Sequence, residues 1–265
     1  MPFARDASGV SICFDLRGEG EETLVLVPGL GLAGSAWGPL IDRLEQRYRL
    51  IVVDPRGSGA SDKPDQEYTP DTVAADLAAV LDAADTASAH IIGLSVGGMI
   101  AQDFAIRFPA RINSLILLST FARPDRWFTR LFEARRNLIQ QIGIVDHFQI
   151  YLMFIFSPLA FRRIPETIAQ IDQAFQRQPP DTAAYLRQID YCLAHDASAG
   201  LPAVTAPTLV ISGSHDFLIP TALVEELADL VPNADYRPFE GASHGLWLEF
   251  PAELAAVCED FIDRR

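Results

Sequence analysis

One serine in this chain stands where a nucleophile could form. Residues 93–97 read Gly-Leu-Ser-Val-Gly, so Ser95 has a glycine two positions before it and another two positions after it. An apolar, β-branched run precedes this pattern and a helix-forming run follows it. A sharp turn from a strand into a helix would expose the serine hydroxyl, and only glycine leaves room for such a turn. The pattern predicts a nucleophilic Ser95, with an ordinary glycine-rich turn as the alternative.

A serine hydroxyl needs a general base, and His244 is the best placed of the five histidines. It lies in a loop of small residues, Glu-Gly-Ala-Ser-His-Gly at 240–245, after the last predicted strand and before the last predicted helix. Such a loop can approach the edge of a sheet closely. The other histidines, which fall at the far end of a strand, in a helical segment or beside a better-placed carboxylate, are His90, His147, His195 and His215.

The imidazole of His244 in turn needs a carboxylate to orient it. Asp216 comes just past a predicted strand at 208–211, whereas the tip of the preceding strand, at 119–120, offers no carboxylate. The alternative is that Asp216 only caps the helix that begins near Pro220. Serine, then aspartate, then histidine is the chain order expected when the nucleophile sits on such a turn. The three residues predict acyl transfer through a covalent intermediate.

Acyl transfer also needs hydrogen-bond donors for the oxyanion that forms on the substrate carbonyl. The backbone N–H of Val96 is one candidate, because it follows the nucleophile and starts a helix whose dipole favours negative charge. The second is predicted in the loop Pro-Gly-Leu-Gly at 28–31, at the N–H of Leu30.

The elements around these residues alternate between strands and amphipathic helices. Continuous apolar runs, which are typical of strands buried on both faces of a parallel sheet, occupy 23–27, 50–53, 115–118 and 208–211. Helices between them begin at expected caps, Ser35 for the first and Thr69 with Pro70 for the second. This rhythm predicts an α/β fold with a mostly parallel, doubly wound sheet.

The rhythm breaks between residues 123 and 200, where no strand-like run occurs. Prolines at 158, 165, 179 and 180 divide this segment into short helices, and apolar side chains recur at helical spacing at Leu131, Ala134, Leu138 and Ile142. We expect a core at 1–122 and 201–265 and an inserted helical cap at 123–200. Residues expected to line an apolar substrate pocket, or alternatively to pack the cap on the core, are Trp127, Phe128, Met153 and Phe156. Such a lining predicts a small to medium, uncharged acyl or alkyl group.

Composition excludes several classes of function. The chain has 21 Lys and Arg against 35 Asp and Glu, a net charge of −14, which argues against a nucleic-acid partner. Three scattered cysteines without a C-x-x-C pair predict free thiols and no zinc site, and the chemistry above requires no metal or cofactor. The N-terminus lacks the apolar run of a signal peptide, and the apolar window at 150–156 is too short to span a bilayer. We expect a soluble, cytoplasmic protein.

Taken together, these motifs resemble the α/β-hydrolase fold superfamily over essentially the full length. The segments that carry the resemblance are the loop at Leu30, 54–61, 93–98, the loop at Asp216, and 241–244. The elbow, the short oxyanion loop and the helical segment look like those of the 3-oxoadipate enol-lactonases, and parts of the helical segment look like the aminoacrylate hydrolases of pyrimidine breakdown. One departure is Pro28, where the family usually has histidine.

The favoured prediction is a serine hydrolase that cleaves a small to medium carboxylic ester or lactone. A C–C bond hydrolase, an amide or aminoacrylate hydrolase, or a cofactor-free perhydrolase could use the same triad. A dehalogenase of the usual kind is excluded, because that chemistry needs aspartate at position 95. Outside enzymes, the alternative is a catalytically silent ligand-binding receptor of this fold, which would have no reason to retain all three groups.

Overall fold

The computed structural model describes residues 1–232 and 234–264. Within these residues the core is an eight-stranded sheet. The strands are β1 (Phe3–Arg5), β2 (Ser11–Arg17), β3 (Thr23–Val27), β4 (Arg49–Val53), β5 (Ala89–Leu94), β6 (Ile112–Leu118), β7 (Thr208–Gly213) and β8 (Asp235–Phe239). Their order across the sheet is β1-β2-β4-β3-β5-β6-β7-β8.

The sheet is parallel from β3 to β8, and only β1 and β2 pair antiparallel at one edge. Almost every residue of β3 to β7 is buried, which agrees with their continuous apolar runs. The predicted α/β fold is therefore confirmed. In a parallel sheet the carboxyl ends of the strands share one edge, so the loops that follow β3, β5, β7 and β8 lie along the same edge of the sheet.

Helices cover both faces of the sheet and continue the chain between strands. They are α1 (Pro39–Leu44), α2 (Pro70–Ala83), α3 (Val96–Arg107), α4 (Arg126–Ile142), α5 (Ile144–Ile155), α6 (Pro158–Arg163), α7 (Pro165–Arg177), α8 (Thr182–Ala194), α9 (Thr221–Leu230), α10 (Leu246–Glu249) and α11 (Pro251–Asp263). None of the helices in the described chain has the length and apolarity that a bilayer span requires.

The predicted caps of the first two helices have different outcomes. Thr69 caps α2 in a reciprocal arrangement with Thr72, and Pro70 takes the first helical position, as expected. The prediction for Ser35 is wrong. Residues 34–37 form a 3₁₀ turn without a side-chain cap, and α1 begins only at Pro39 after Gly38, which adopts a φ of +45°. Proline prefers the first turn of a helix, which sets this later start.

Five consecutive helices, α4 to α8, lie between β6 and β7, where the sequence lacks strand-like runs. The prolines at 158 and 165 start α6 and α7, and Gly143, with a φ of +83°, separates α4 from α5. The buried face of α4 is formed by Phe128, Phe132, Arg135 and Ile139. The apolar stripe predicted for this helix lies one position away from that face, and its Ala134 and Ile142 are exposed.

Candidate active site

Ser95 occupies the turn between β5 and α3 with a φ of +52°, a region that side-chain-bearing residues rarely adopt. Two hydrogen bonds hold this backbone in place. The Ser95 N–H donates to the Leu118 carbonyl at 2.8 Å, and the Thr120 hydroxyl donates to the Ser95 carbonyl at 2.8 Å. The neighbouring strand β6 and the loop after it therefore fix the strained turn.

The glycines on either side of Ser95 have no room for a side chain. A Cβ on Gly97 would overlap the carbonyl oxygen of Val27 in β3, and a Cβ on Gly93 would overlap the backbone of Gly97 in α3. The turn therefore brings strand and helix backbones into direct contact, as the sequence pattern predicts. An ordinary loop would not need both glycines.

Gly97→Ala is expected to lower the free energy of unfolding by about 3 kcal/mol or more, because β3 and α3 must separate to admit the methyl group. Gly29→Ala is the matched control, since a Cβ there would meet Ser95 Cβ at 3.5 Å, an ordinary contact distance. Chemical denaturation of the two variants measures their free energies of unfolding. Equal stability of the two variants would contradict the packing described here.

His244 and Asp216 are joined by a buried hydrogen bond. His244 Nδ1 lies 2.8 Å from Asp216 Oδ2, and neither side chain is more than marginally exposed. The other carboxylate oxygen, Oδ1, accepts the backbone N–H groups of Leu218 and Ile219, each at 2.9 Å. The carboxylate is thus fixed in orientation, and its bond to Nδ1 leaves Nε2 of the imidazole to face another partner.

The loops that carry these two residues are tied to one another. His215 donates its N–H to the Ala242 carbonyl at 2.8 Å, and Gly241 donates its N–H to the Ser214 hydroxyl at 2.8 Å. Both loops follow the carboxyl ends of parallel strands, at the edge where the turn of Ser95 also lies. The structure thus gathers the predicted nucleophile, base and carboxylate at one edge of the sheet.

The loop after β3 runs beside the nucleophile. Gly29 faces Ser95, with space for one methyl group between them. Within this loop the Leu32 N–H donates to the Gly29 carbonyl at 3.1 Å and the Gly31 N–H donates to the Gln188 side chain at 2.8 Å. The Leu30 N–H has no acceptor in the described part of the chain. It is the donor that the sequence predicts for the oxyanion.

Val96, the second predicted donor, is the first residue of α3. The first N–H groups of a helix have no acceptor within the helix, so its N–H is available to a substrate oxygen. Together with the Leu30 N–H in the adjacent loop, this leaves two backbone donors beside Ser95.

Helices α5 and α8 cover this edge of the sheet. The ring of Tyr185 packs against Gly31, and the Gln188 amide donates to the Arg56 carbonyl at 2.8 Å and to the Ser58 hydroxyl at 3.0 Å. On the other side, the Gly245 N–H donates to the Ile155 carbonyl at 3.1 Å. Ser95 is consequently only 6% exposed, which favours chemistry in a site shielded from water.

The four predicted pocket residues fall into two groups. Trp127 and Met153 are 49% and 59% exposed, so they lie on the outer surface of their helices and do not enclose a pocket. Phe128 is fully buried and stacks on Phe132 at a ring-centroid distance of 3.8 Å, which makes it a packing residue of α4. Phe156 is buried directly against Gly245, beside the proposed base. Of the four, only Phe156 adjoins a catalytic loop in the structure.

Three of the remaining histidines, His90, His147 and His195, have partners outside the proposed catalytic groups. His90 Nδ1 contacts the Ser114 hydroxyl at 2.7 Å near the start of β5, and His195 packs in the interior near Asp103. His147 is buried in α5, where its Nε2 accepts the Nε–H of Arg135 at 3.4 Å.

Burial, and after it the nearby Arg135 charge, together lower the pKa of His147 to about 4. A histidine in the unfolded chain binds a proton near pH 6.5. Below that pH, protonation stabilises the unfolded chain relative to the folded one, until the pH falls far enough for the folded residue to bind a proton as well. The free energy of unfolding should fall by about 2 kcal/mol from this residue between pH 6.5 and 5. Denaturation at both pH values should show that loss reduced in His147→Gln. It should be unchanged in His215→Gln, whose side chain is exposed, and an undiminished loss in His147→Gln would refute the assignment.

Sequence reasoning missed three side chains: Tyr185 and Gln188, which contact the loop at Gly31, and the buried Arg135, which donates to the Tyr185 hydroxyl. Each lies on a helix, where a polar residue normally faces solvent. The available signal was the spacing of Arg135 relative to Phe128, Phe132 and Ile139, which puts a charged residue on an apolar helix face. In the described residues, no group of three or more His, Cys, Asp or Glu side chains is arranged to hold a metal ion.

Comparison with known proteins agrees with this geometry. The alpha/beta hydrolase fold family matches residues 22–251. A protein of Azorhizobium caulinodans named as carbamate hydrolase RutD is 30% identical over 247 residues, which cover 92% of this chain and 91% of that protein. The solved enol-lactonase from Burkholderia xenovorans LB400 aligns with a TM-score of 0.91 and 28% identity, over 99% of this chain and 100% of that chain.

A thermophilic esterase from Thermogutta terrifontis aligns with a TM-score of 0.87 and 26% identity, over 99% of this chain and 98% of that chain. The family match spans most of the sequence, and the two solved relatives share its fold over nearly their full length. The chain therefore belongs to the α/β-hydrolase fold family and is a hydrolase of that fold.

Proposed function

We propose that the protein hydrolyses small to medium carboxylic esters or lactones through a triad of Ser95, His244 and Asp216. The observation that carries this proposal is the buried 2.8 Å bond between His244 Nδ1 and Asp216 Oδ2, at the sheet edge where Ser95 stands on a strained turn. A strained, glycine-dependent turn and a fixed histidine–carboxylate pair are costly features that a silent receptor would not need.

In this mechanism His244 Nε2 accepts the hydroxyl proton of Ser95 as the oxygen attacks the substrate carbonyl. The N–H groups of Leu30 and Val96 stabilise the oxyanion. His244 then gives its proton to the leaving oxygen, which departs and leaves an acyl group on Ser95. Water, deprotonated by His244, attacks the acyl carbon, releases the acid and restores the serine. Asp216 stabilises the imidazolium in both halves of the cycle.

The names of the solved relatives favour an ester or lactone: one is an enol-lactonase and another an esterase. The RutD relatives favour a second candidate, hydrolysis of a carbamate, by the same attack on a carbonyl carbon.

We also propose that 123–200 is a cap domain on a core of 1–122 and 201–265, since α5 and α8 contact the catalytic loops. A cytoplasmic location and a small-molecule substrate complete the proposal.

Stopped-flow release of p-nitrophenol from p-nitrophenyl acetate tests the proposal. Accumulation of an acyl-enzyme predicts a burst whose amplitude equals the enzyme concentration, followed by a slower steady rate. A p-nitrophenyl carbamate of matched size tests the second candidate, carbamate hydrolysis. A kcat/KM higher for the carbamate than for the acetate would favour it. If neither compound releases p-nitrophenol faster than in buffer alone, the proposal of a hydrolytic triad fails and a ligand-binding receptor is favoured.

A further inference from the structure

Gln188 is a buried amide side chain on α8 that bonds to the loops that follow β3 and β4. The residue is only 4% exposed. Its amide NH₂ donates to the Arg56 carbonyl at 2.8 Å and to the Ser58 hydroxyl at 3.0 Å. Its amide oxygen accepts the Gly31 N–H at 2.8 Å. Because Arg56 offers a carbonyl and Gly31 an N–H, only one orientation of the amide satisfies both, and its oxygen must face Gly31.

The loop after β3 is a tight turn that contains the Leu30 donor. The Leu32 N–H donates to the Gly29 carbonyl at 3.1 Å, and Gly31, third in the turn, has a φ of +70°. This is the pattern of a type II turn. Types I and II differ chiefly in the orientation of the central peptide, which here joins Leu30 to Gly31. The Gly31 N–H belongs to that peptide, so its bond to Gln188 fixes the orientation.

The turn has no polar side chain with which to hold itself. Residues 28–31 are Pro, Gly, Leu and Gly, and Pro28 also lacks a backbone N–H. A second contact with the turn comes from α8 as well, since the ring of Tyr185 packs against Gly31 and leaves no room for a Cβ there. The turn that carries the Leu30 N–H is therefore held from outside, by a helix of the segment between β6 and β7.

We propose that Gln188 is a positioning residue for the oxyanion site, which holds the turn so that the Leu30 N–H points at the oxygen where charge develops. The inference rests on the proposed function and assigns to it a residue of the helical segment. A donor stabilises the transition state most when it is already in place as the charge forms. Without the Gln188 acceptor, the central peptide is free to reorient and to displace the adjacent donor. Helix α8 thus completes the oxyanion site as well as covering it.

Gln188→Met tests the proposal, because methionine has a similar length and its sulfur is a poor acceptor for an N–H. We expect kcat for p-nitrophenyl acetate to fall by at least about tenfold, since outright loss of an oxyanion donor costs about 10²- to 10³-fold. KM should stay within a few-fold of the native value, because the amide of Gln188 bonds within the protein.

Tyr191→Phe is the matched control on the same helix. Tyr191 lies one turn beyond Gln188, is buried, and donates to Asp103 Oδ2 at 2.6 Å, away from the oxyanion turn. Both variants leave buried polar groups unpaired and should lose stability. Only Gln188→Met should lose kcat.

Inhibition by 1,1,1-trifluoroacetone separates positioning from a simple loss of folded enzyme. Ser95 Oγ adds to the carbonyl carbon of this ketone, the hydroxyl proton passes to His244, and the carbonyl oxygen becomes an oxyanion like that of the reaction intermediate. The inhibition constant Ki does not depend on how much of the enzyme is folded. We expect Ki to rise by at least about tenfold in Gln188→Met and to stay near the native value in Tyr191→Phe.

A native Ki in Gln188→Met would overturn the proposal while the triad stands, even if the variant is less stable. An equal rise of Ki in Tyr191→Phe would also overturn it, because any lost bond of α8 would then have the same effect. If Gln188→Met does not fold, Gln188→Asn decides by the same Ki, since its shorter amide cannot span from Arg56 to Gly31. If the native protein shows no Ser95-dependent hydrolysis, the proposed function fails, and the inference fails with it.

Discussion

Ser95→Ala is expected to lower kcat for p-nitrophenyl acetate by about 10⁴- to 10⁶-fold, with the fold unchanged. The substitution removes only the hydroxyl group. The hydrogen bonds that the Ser95 backbone makes with Leu118 and Thr120, which hold the turn, do not involve that group. His244→Ala should lose activity to a similar extent, because the serine hydroxyl is a poor nucleophile without its base. Steady-state kinetics, with circular dichroism to verify folding, measure both effects.

His215→Ala is the matched control for the histidine. His215 is exposed and lies next to Asp216 in the same loop, but its side chain is not assigned to the triad. We expect its kcat to remain within a few-fold of the native value. Near-native turnover in either Ser95→Ala or His244→Ala would show that another residue performs the reaction.

Asp216→Asn is expected to lower kcat by about 10⁴-fold at neutral pH, through the tautomer of His244. The backbone N–H groups of Leu218 and Ile219 both point at Oδ1, so the amide oxygen of asparagine must take that position. The NH₂ group then faces His244 Nδ1 and donates to it. The imidazole proton moves to Nε2, which can no longer accept the proton of Ser95.

Asp229→Asn is the control for this substitution. Asp229 is an exposed acid on α9, and its change to asparagine removes one negative charge, as Asp216→Asn does. KM should change little in Asp216→Asn, since the carboxylate orients the base and does not contact substrate. A variant with native kcat would mean that the carboxylate only caps the following helix, the alternative that the sequence leaves open.

The parts of the fold that follow from local physics could be predicted from sequence. Continuous apolar runs give β3, β4, β6 and β7, because a strand buried on both faces has no polar positions. The elbow was also predictable, since Gly93 and Gly97 stand where any side chain would collide. The order of the three catalytic candidates followed from the positions of strand ends, and the His244–Asp216 bond agrees with it.

Features that depend on tertiary contacts were not accessible in the same way. Strand β1 has only three residues, too few to show a periodic pattern, and it forms by pairing with β2. The stripe predicted for α4 was displaced by one position because its buried face includes Arg135, which a hydrophobicity pattern counts as exposed. Trp127 and Met153 are large and apolar yet exposed, so residue type alone placed them wrongly.

Intact-mass and peptide-map analysis of the protein quenched during turnover of p-nitrophenyl acetate tests the central claim most directly. The account predicts one acetyl group per chain, on the peptide that contains Ser95, and absent from Ser95→Ala. In His244→Ala the adduct should form far more slowly. Acetylation confined to another residue, with Ser95 unmodified during turnover, would contradict the account.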